Sequence, residues 1–190
     1  MHFNFKEVLS VTLVLFSVID ILGAIPIILD IRKKIGDIHA ATTTMVSGGI
    51  MIAFLYIGKS ILNLFGVDVQ SFAVAGALII FLIGLEMTLG RSIFKSTDVQ
   101  PRAASIVPLA FPIIAGAGTM TTILSLKAQY AEINILVGIF VNLGLIFLVL
   151  KSSTWIEKKI GATGTGILEK IFGVILLAIA IKLFRTNLGV

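Results

Sequence analysis

Cysteine is absent from the 190 residues. That removes disulfides, thiolate metal sites and cysteine nucleophiles, and it leaves the redox compartment unread. Histidine occurs only as His2 and His39, one terminal and one in a loop. Neither a zinc set nor a Ser-His-acid constellation can be assembled from them, so an intramembrane hydrolase is disfavoured and a non-enzymatic role is expected. The phosphate-binding ending Gly-Lys-Ser/Thr is also missing. The run Gly161-Ala-Thr-Gly164-Thr-Gly166 lacks it and has no preceding strand, so it reads as a flexible connector. No cofactor is expected. Charge is scarce as well, at 13% of residues, while apolar types make up 57% and mean hydropathy is +1.10.

What is there is apolar length. Six runs stand out: Val8–Leu29, Ala40–Leu64, Val69–Gly90, Ala103–Leu126, Ile133–Leu150 and Ile167–Phe184. They hold 129 residues and leave 61 for everything else. Six bilayer crossings of roughly 20 residues need about 120. A soluble catalytic domain, an ATPase domain and a long binding tail are excluded on that count. The lipid bilayer is the surrounding medium, and any transport is driven by gradients. The first run is too long for a signal-peptide core and carries an acid, so it reads as a retained span.

Lipid leaves no backbone group unpaired, which restricts spans to helices or a closed barrel. Alternation of strand type is absent, so the expected fold is all-α: a polytopic membrane protein of six transmembrane helices. The six divide into residues 1–90, a cytoplasmic connector 91–102, and residues 103–190. Three spans per half make the second half enter the membrane upside down, the arithmetic of a 3+3 inverted repeat. Ten Lys and Arg residues lie on the first, third and fifth connections or just inside the sixth run, against five on the other side. That asymmetry predicts odd loops in the cytoplasm and both termini outside a cell membrane. The net charge of +5 is thus a topology signal and no sign of nucleic-acid binding.

Breakers concentrate at one place in each half. Three of the four prolines, Pro26, Pro108 and Pro112, fall in the first and fourth runs. The first reads Asp20-Ile-Leu-Gly23-Ala24-Ile-Pro26. The fourth reads Pro108-Leu-Ala-Phe-Pro112-Ile-Ile-Ala-Gly116-Ala-Gly118-Thr119. Proline removes a donor and glycine tolerates unusual dihedrals, so discontinuous first and fourth helices are expected, with a plain proline kink as the competing reading. Broken helices at matching places in two halves point to a transport site. Exposed amides attract a carboxylate and exposed carbonyls an ammonium or cation, so two breaks together suit a small zwitterionic substrate.

Asp20 lies twelve residues into the first run, near the bilayer midplane. Three roles fit it: an ammonium site, a carrier of a coupling proton, or a cap over the Gly23 break. Sodium is the other coupling ion in view. The candidate binding residues are Asp20, Gly23, Ala24, Pro26, Pro112, Gly116, Gly118 and Thr119. Thr43, Ser47, Thr122 and Asn142 are candidate lining residues, and for these hydroxyl and amide side chains helix–helix glue is the competing role. A homo-oligomer is compatible with the sequence and is not specified by it.

At these breaks the chain resembles the MarC family of integral membrane proteins. The family pattern in the first helix, Asp-Pro-x-Gly-x-x-Pro, is matched by Asp20, Gly23 and Pro26. In the fourth, Pro-Leu-Ala-x-Pro followed by Ala-Gly-Pro-Gly is matched by Pro108-Leu109-Ala110, Pro112, Ala115-Gly116 and Gly118. Lys170-Ile-Phe-Gly173 resembles the start of the family's last helix. Ile21 and Ala117 stand where the family usually has proline. The resemblance covers nearly the whole chain, and it implies a secondary transporter of small neutral amino acids such as glycine and alanine.

Overall fold

The computed structural model describes residues 3–21, 23–36, 38–90 and 106–188. Every described element is a helix. The connector 91–102 and the start of the fourth apolar run lie outside the described residues.

Helix α1 spans Phe5–Ile19 and is capped by the Asn4 side chain, which accepts the Lys6 N–H at 3.0 Å. Val8, Val11, Leu15 and Ile19 recur at helical spacing and form its buried stripe. Beyond the break at residues 20–24, α2 runs Ile25–Ile35 with Pro26 in its first turn, where a missing amide is harmless. Helices α3 (Ala40–Leu64) and α4 (Val69–Leu89) follow. Next, α5 (Ile106–Ile114) is wound as a π-helix, and α6 runs Ala117–Lys127. Helix α7 covers Glu132–Leu188 and leaves helical dihedrals at Gly161 (φ 72°, ψ 172°), which divides it into two limbs.

The first apolar run therefore becomes two helices, α1 and α2, and the fourth becomes α5 and α6. The Gly161–Gly166 run departs from expectation. Only Gly161 leaves the helix, and residues 162–166 continue the second limb. One glycine at positive φ supplies the whole change of direction, so the others remain helical.

Among the described residues, three helical stretches are long and apolar enough to cross a bilayer unaided: Ala40–Leu64, Val69–Leu89 and Glu132–Ser153. The pair Pro108–Ile114 and Ala117–Lys127, bent by 48°, makes a fourth if counted as one span. Six were expected from apolar length. The shortfall has a physical source: α1 and α2, at 15 and 11 residues, are each shorter than the roughly 20 residues a span needs. The last run includes Glu169, Lys170 and Lys182.

Helix α7 is the centre of the packing, touching α1, α2, α3 and α4. Its second limb crosses α4 at glycines on both sides. A Cβ at Gly84 would lie 2.9 Å from the Gly173 carbonyl oxygen, and one at Gly173 would lie 3.0 Å from that of Gly84. At one end of the bundle, the Asn4 N–H donates to Asn134 Oδ1 at 3.1 Å and Asn134 Nδ2 donates to Glu7 at 2.6 Å. Lys127 at that same end pairs with Glu132 at 2.9 Å. Elsewhere, Arg32 near the end of α2 donates to Ser153 Oγ at 3.0 Å. These bonds pair the start of α1 with the start of α7, and the end of α2 with the far part of α7's first limb.

Candidate functional site

The first interruption is built around Asp20. Its backbone sits in the left-handed region (φ 46°, ψ 48°), and its N–H donates to the Phe16 carbonyl at 3.1 Å, ending α1. Its side chain turns onto the next residues: the Gly23 N–H donates to Asp20 Oδ1 at 3.2 Å, and the Ala24 N–H donates to the Asp20 carbonyl at 3.0 Å. Aspartate is one of the few residues that adopts this backbone readily. Gly23 is required by the same geometry, because a Cβ there would lie 2.7 Å from the Asp20 carboxyl carbon. Ala24 and Pro26 are buried, whereas Asp20 is exposed. Of the three roles that fit Asp20, the cap is directly visible.

The second interruption is built around Gly116. Pro112 has no N–H to give to the preceding turn, and the chain opens to π winding, with the Ala115 N–H donating to the Ala110 carbonyl at 2.9 Å. Gly116 is extended (φ −81°, ψ 174°) and starts α6 without a side-chain cap. A Cβ there would run into the Pro112 carbonyl oxygen, so no other residue fits. The Thr119 hydroxyl donates back across the break to the Ile114 carbonyl at 2.9 Å, which satisfies the last acceptor of α5. The first amides of α6, from Ala117 onward, have no partner within their own helix.

The two interruptions are adjacent. A Cβ added to Gly118 would stand 3.7 Å from Val18 Cγ1, so α6 faces the last turn of α1 across room for about one carbon. A cavity of about 70 Å³ opens beside this seam. Asp20, Gly23 and Ala24 contribute to its wall from the first interruption, and Ile113 contributes from the second. Ile83 of α4 and Ile179 of α7 close it with apolar side chains. One carboxylate therefore stands in an otherwise apolar wall, beside the start of α2 and the end of α5, and Pro112, Gly116, Gly118 and Thr119 do not line it.

The profile described as "MarC family integral membrane protein" matches residues 5–189. The chain belongs to the MarC family. Similarity to relatives in this family is spread along the whole length. A UPF0056 membrane protein of Methanocaldococcus jannaschii is 31% identical over 89% of both chains. The UPF0056 membrane protein YvbG of Bacillus subtilis is 29% identical over 97% of this chain and 95% of its own. YhcE of Escherichia coli, another UPF0056 membrane protein, is 25% identical over 98% and 94%. No solved structure matches. This MarC protein is thus an integral membrane protein with apolar transmembrane helices.

The residues that carry the MarC resemblance fall at the two interruptions, apart from Lys170–Gly173 on the second limb of α7. Where the family usually has proline, Ile21 is buried in the core and Ala117 is the first residue of α6, packed on Gly76. The candidate lining residues divide. Thr122 sits one turn beyond Gly118 and donates to its carbonyl at 2.7 Å. Thr43 and Ser47 are fully buried on α3, and the Ser47 hydroxyl donates to the Thr43 carbonyl at 2.8 Å. Asn142 is buried against α1, where its amide donates to the carbonyls of Thr12 (3.1 Å) and Gly138 (2.9 Å). Thr12 lies two turns before Asp20, so Asn142 joins helices and does not reach the cavity.

Two polar contacts escaped sequence reasoning. Asn134 is fully buried and clamps the start of α1. Lys127 bonds Glu132 and the Leu55 carbonyl, each at 2.9 Å, with the Tyr56 ring 5.8 Å away. Both tie residues far apart in the chain, and no local pattern marks such pairs. Asp68 caps α4 outside the membrane helices. The Ser71 N–H at 2.6 Å and the Ser71 hydroxyl at 2.9 Å hold its carboxyl below the ordinary 3.8.

Proposed function

We propose that this MarC protein is a secondary transporter of small neutral amino acids, glycine and alanine first among them. The substrate sits in the cavity between the two interruptions. The observation that carries this reading is their adjacency: Gly118 faces Val18, and Asp20, Gly23, Ala24 and Ile113 share one chamber. The N-termini of α2 and α6 offer positive helix ends and unpaired amides to a substrate carboxylate. Asp20 receives the ammonium group. One carboxylate oxygen caps Gly23, and a carboxylate accepts several hydrogen bonds at once. The isoleucine walls limit the substrate side chain. Discrimination of about 1–3 kcal/mol per methylene is enough to keep leucine out. Coupling uses a proton or sodium ion, and no chemical conversion of the substrate takes place.

The same reading has six crossings arranged as a 3+3 inverted repeat, with α1–α2 and α5–α6 as the broken first and fourth spans. Lengths support it: 26 residues in α1 and α2 together, and 20 in α5 and α6, reach the roughly 20 residues a span needs. The end-to-end hydrogen bonds support it too, since Asn4 pairs with Asn134 and Arg32 with Ser153. In this arrangement both termini lie outside the cell membrane, and access alternates as one half rocks against the other.

The test is uptake of labelled glycine, alanine and leucine into proteoliposomes, with and without a proton or sodium gradient. Saturable uptake of glycine and alanine but not leucine is expected. Absence of saturable uptake for any of them overturns the proposal in favour of another solute or a scaffold role.

A further inference from the structure

A second space in the molecule is larger and differently lined. A cleft of about 420 Å³ lies where α6 approaches the start of α4 and the end of α7, with Val14 of α1 on its rim. Gln70, Thr121, Thr122, Ser125, Gln129 and Asn187 supply its polar wall, and among the described residues no charged one lines it.

We propose that this cleft is the water-filled vestibule through which small, uncharged or zwitterionic hydrogen-bonding solutes reach the cavity, and that the Val18–Gly118 contact is its gate. The inference rests on the transport reading and adds to it a route of access. Three observations support it. First, side-chain amides facing hydrocarbon are costly. Here those of Gln70, Gln129 and Asn187 converge from three parts of the chain on one face of α6, as the lining of an aqueous space requires. Second, the cleft and the cavity adjoin along one seam. Val14 at the cleft is one turn from Val18 at the cavity, and Thr122 at the cleft is one turn from Gly118. What separates them is the Val18–Gly118 pair, where a Cβ on Gly118 would stand 3.7 Å from Val18 Cγ1. Third, the wall is bonded to the gate, because the hydroxyls of Thr121 and Thr122 donate to the Gly118 carbonyl at 3.0 and 2.7 Å. Movement of α6 at Gly118 therefore moves the lining with it. A wall without charge lets a zwitterion pass without trapping it and gives a bare ion nothing to pair with.

The absence of native cysteine makes the test clean. Single variants Thr122→Cys, Ser125→Cys, Val18→Cys and Leu13→Cys are reconstituted and exposed to a hydrophilic methanethiosulfonate on both sides of the membrane. The reagent needs a thiolate, and a thiol ionises in water but not in lipid or a dry core. Leu13 is exposed on α1 but does not line the cleft, so it reports the lipid-facing rate. Labelling at residues 122 and 125 is expected to be at least tenfold faster than at residue 13. Saturating alanine is expected to change the rate at residue 18 severalfold. Two positions on the wall guard against one variant misfolding. Rates at both 122 and 125 equal to that at 13 overturn the vestibule, even if the wild type transports alanine. Fast labelling at both with no alanine effect at residue 18 overturns the gate. Fast labelling in a protein that takes up no amino acid leaves the hydrated cleft standing and removes the transport reading.

Discussion

Alanine at Gly23 puts a methyl group where the Asp20 carboxylate already lies. The added carbon would stand 2.7 Å from the carboxyl carbon and 2.9 Å from Oδ1, well inside contact distance. Asp20 cannot retreat as a whole, because its N–H is bonded to the Phe16 carbonyl and its carbonyl to the Ala24 N–H. The side chain must rotate away, and the 3.2 Å bond from the Gly23 N–H is lost with it. A hydrogen bond to a charged acceptor contributes about 1.5–3 kcal/mol. For a protein of this length each kcal/mol moves Tm by about 2–4 °C, so Gly23→Ala is expected to lower Tm by about 3–12 °C. Asp20→Gly removes both the obstacle and the acceptor while keeping a residue that accepts positive φ. In that background Gly23→Ala should do little, which gives a coupling of about 1.5–3 kcal/mol in a double-mutant cycle. Thermal unfolding in detergent, followed by the fluorescence of the single tryptophan, Trp155, reads all four proteins. An equal loss from Gly23→Ala with and without the carboxylate refutes the reasoning, since the methyl would then be meeting something else.

Gly116→Ala drives a Cβ into the Pro112 carbonyl, whereas Gly118→Ala places one in ordinary contact with Val18. The first is expected to destabilise by about 1–3 kcal/mol. The second should leave Tm unchanged or raise it through better helix propensity. Asn142→Ala removes the bonds to Thr12 and Gly138 and should lower stability by about 1–2 kcal/mol while leaving the KM for alanine uptake unchanged. Asp68 has a lowered pKa in the folded protein because Ser71 donates to it twice. Its contribution is therefore present above the ordinary value of 3.8 and disappears as pH falls through the lower folded value. Asp68→Ala should lower Tm at pH 7, with the difference from wild type closing in strong acid.

Much of the helical framework is legible in the chain. The apolar run Ala40–Leu64 has the same bounds as α3, because nothing inside it competes with an unbroken helix. Both interruptions are legible too, since proline's missing donor and glycine's missing Cβ act locally. What happens at them is less so. The left-handed turn at Asp20 arises from a side chain folding back on Gly23, and a residue string shows only an acid in an apolar run. The π winding of α5 depends on how Pro112 is accommodated between its neighbours. The hydroxyls of Ser47, Thr119 and Thr122 looked available to a ligand, but each donates to a nearby carbonyl, as hydroxyls in apolar surroundings commonly do. Asn142 looked like a lining residue because only the fold brings Thr12 to it. Gly161 shows the converse: one positive φ among several glycines made the turn, and no local rule ranks them.

The central claim is that the cavity holds both ends of a zwitterion. Equilibrium binding of labelled alanine to the purified protein tests it most directly, with glycine, leucine, acetate and methylamine as competitors and Asp20→Asn as the variant. Asparagine tolerates the left-handed backbone and keeps an oxygen for the Gly23 N–H, so it removes the charge and spares the cap. The account predicts one saturable site, displaced by glycine but not by leucine or by either half-molecule alone, and weakened at least tenfold in Asp20→Asn with Tm preserved. Binding that survives Asp20→Asn undiminished, or that acetate or methylamine displaces as well as glycine does, contradicts it.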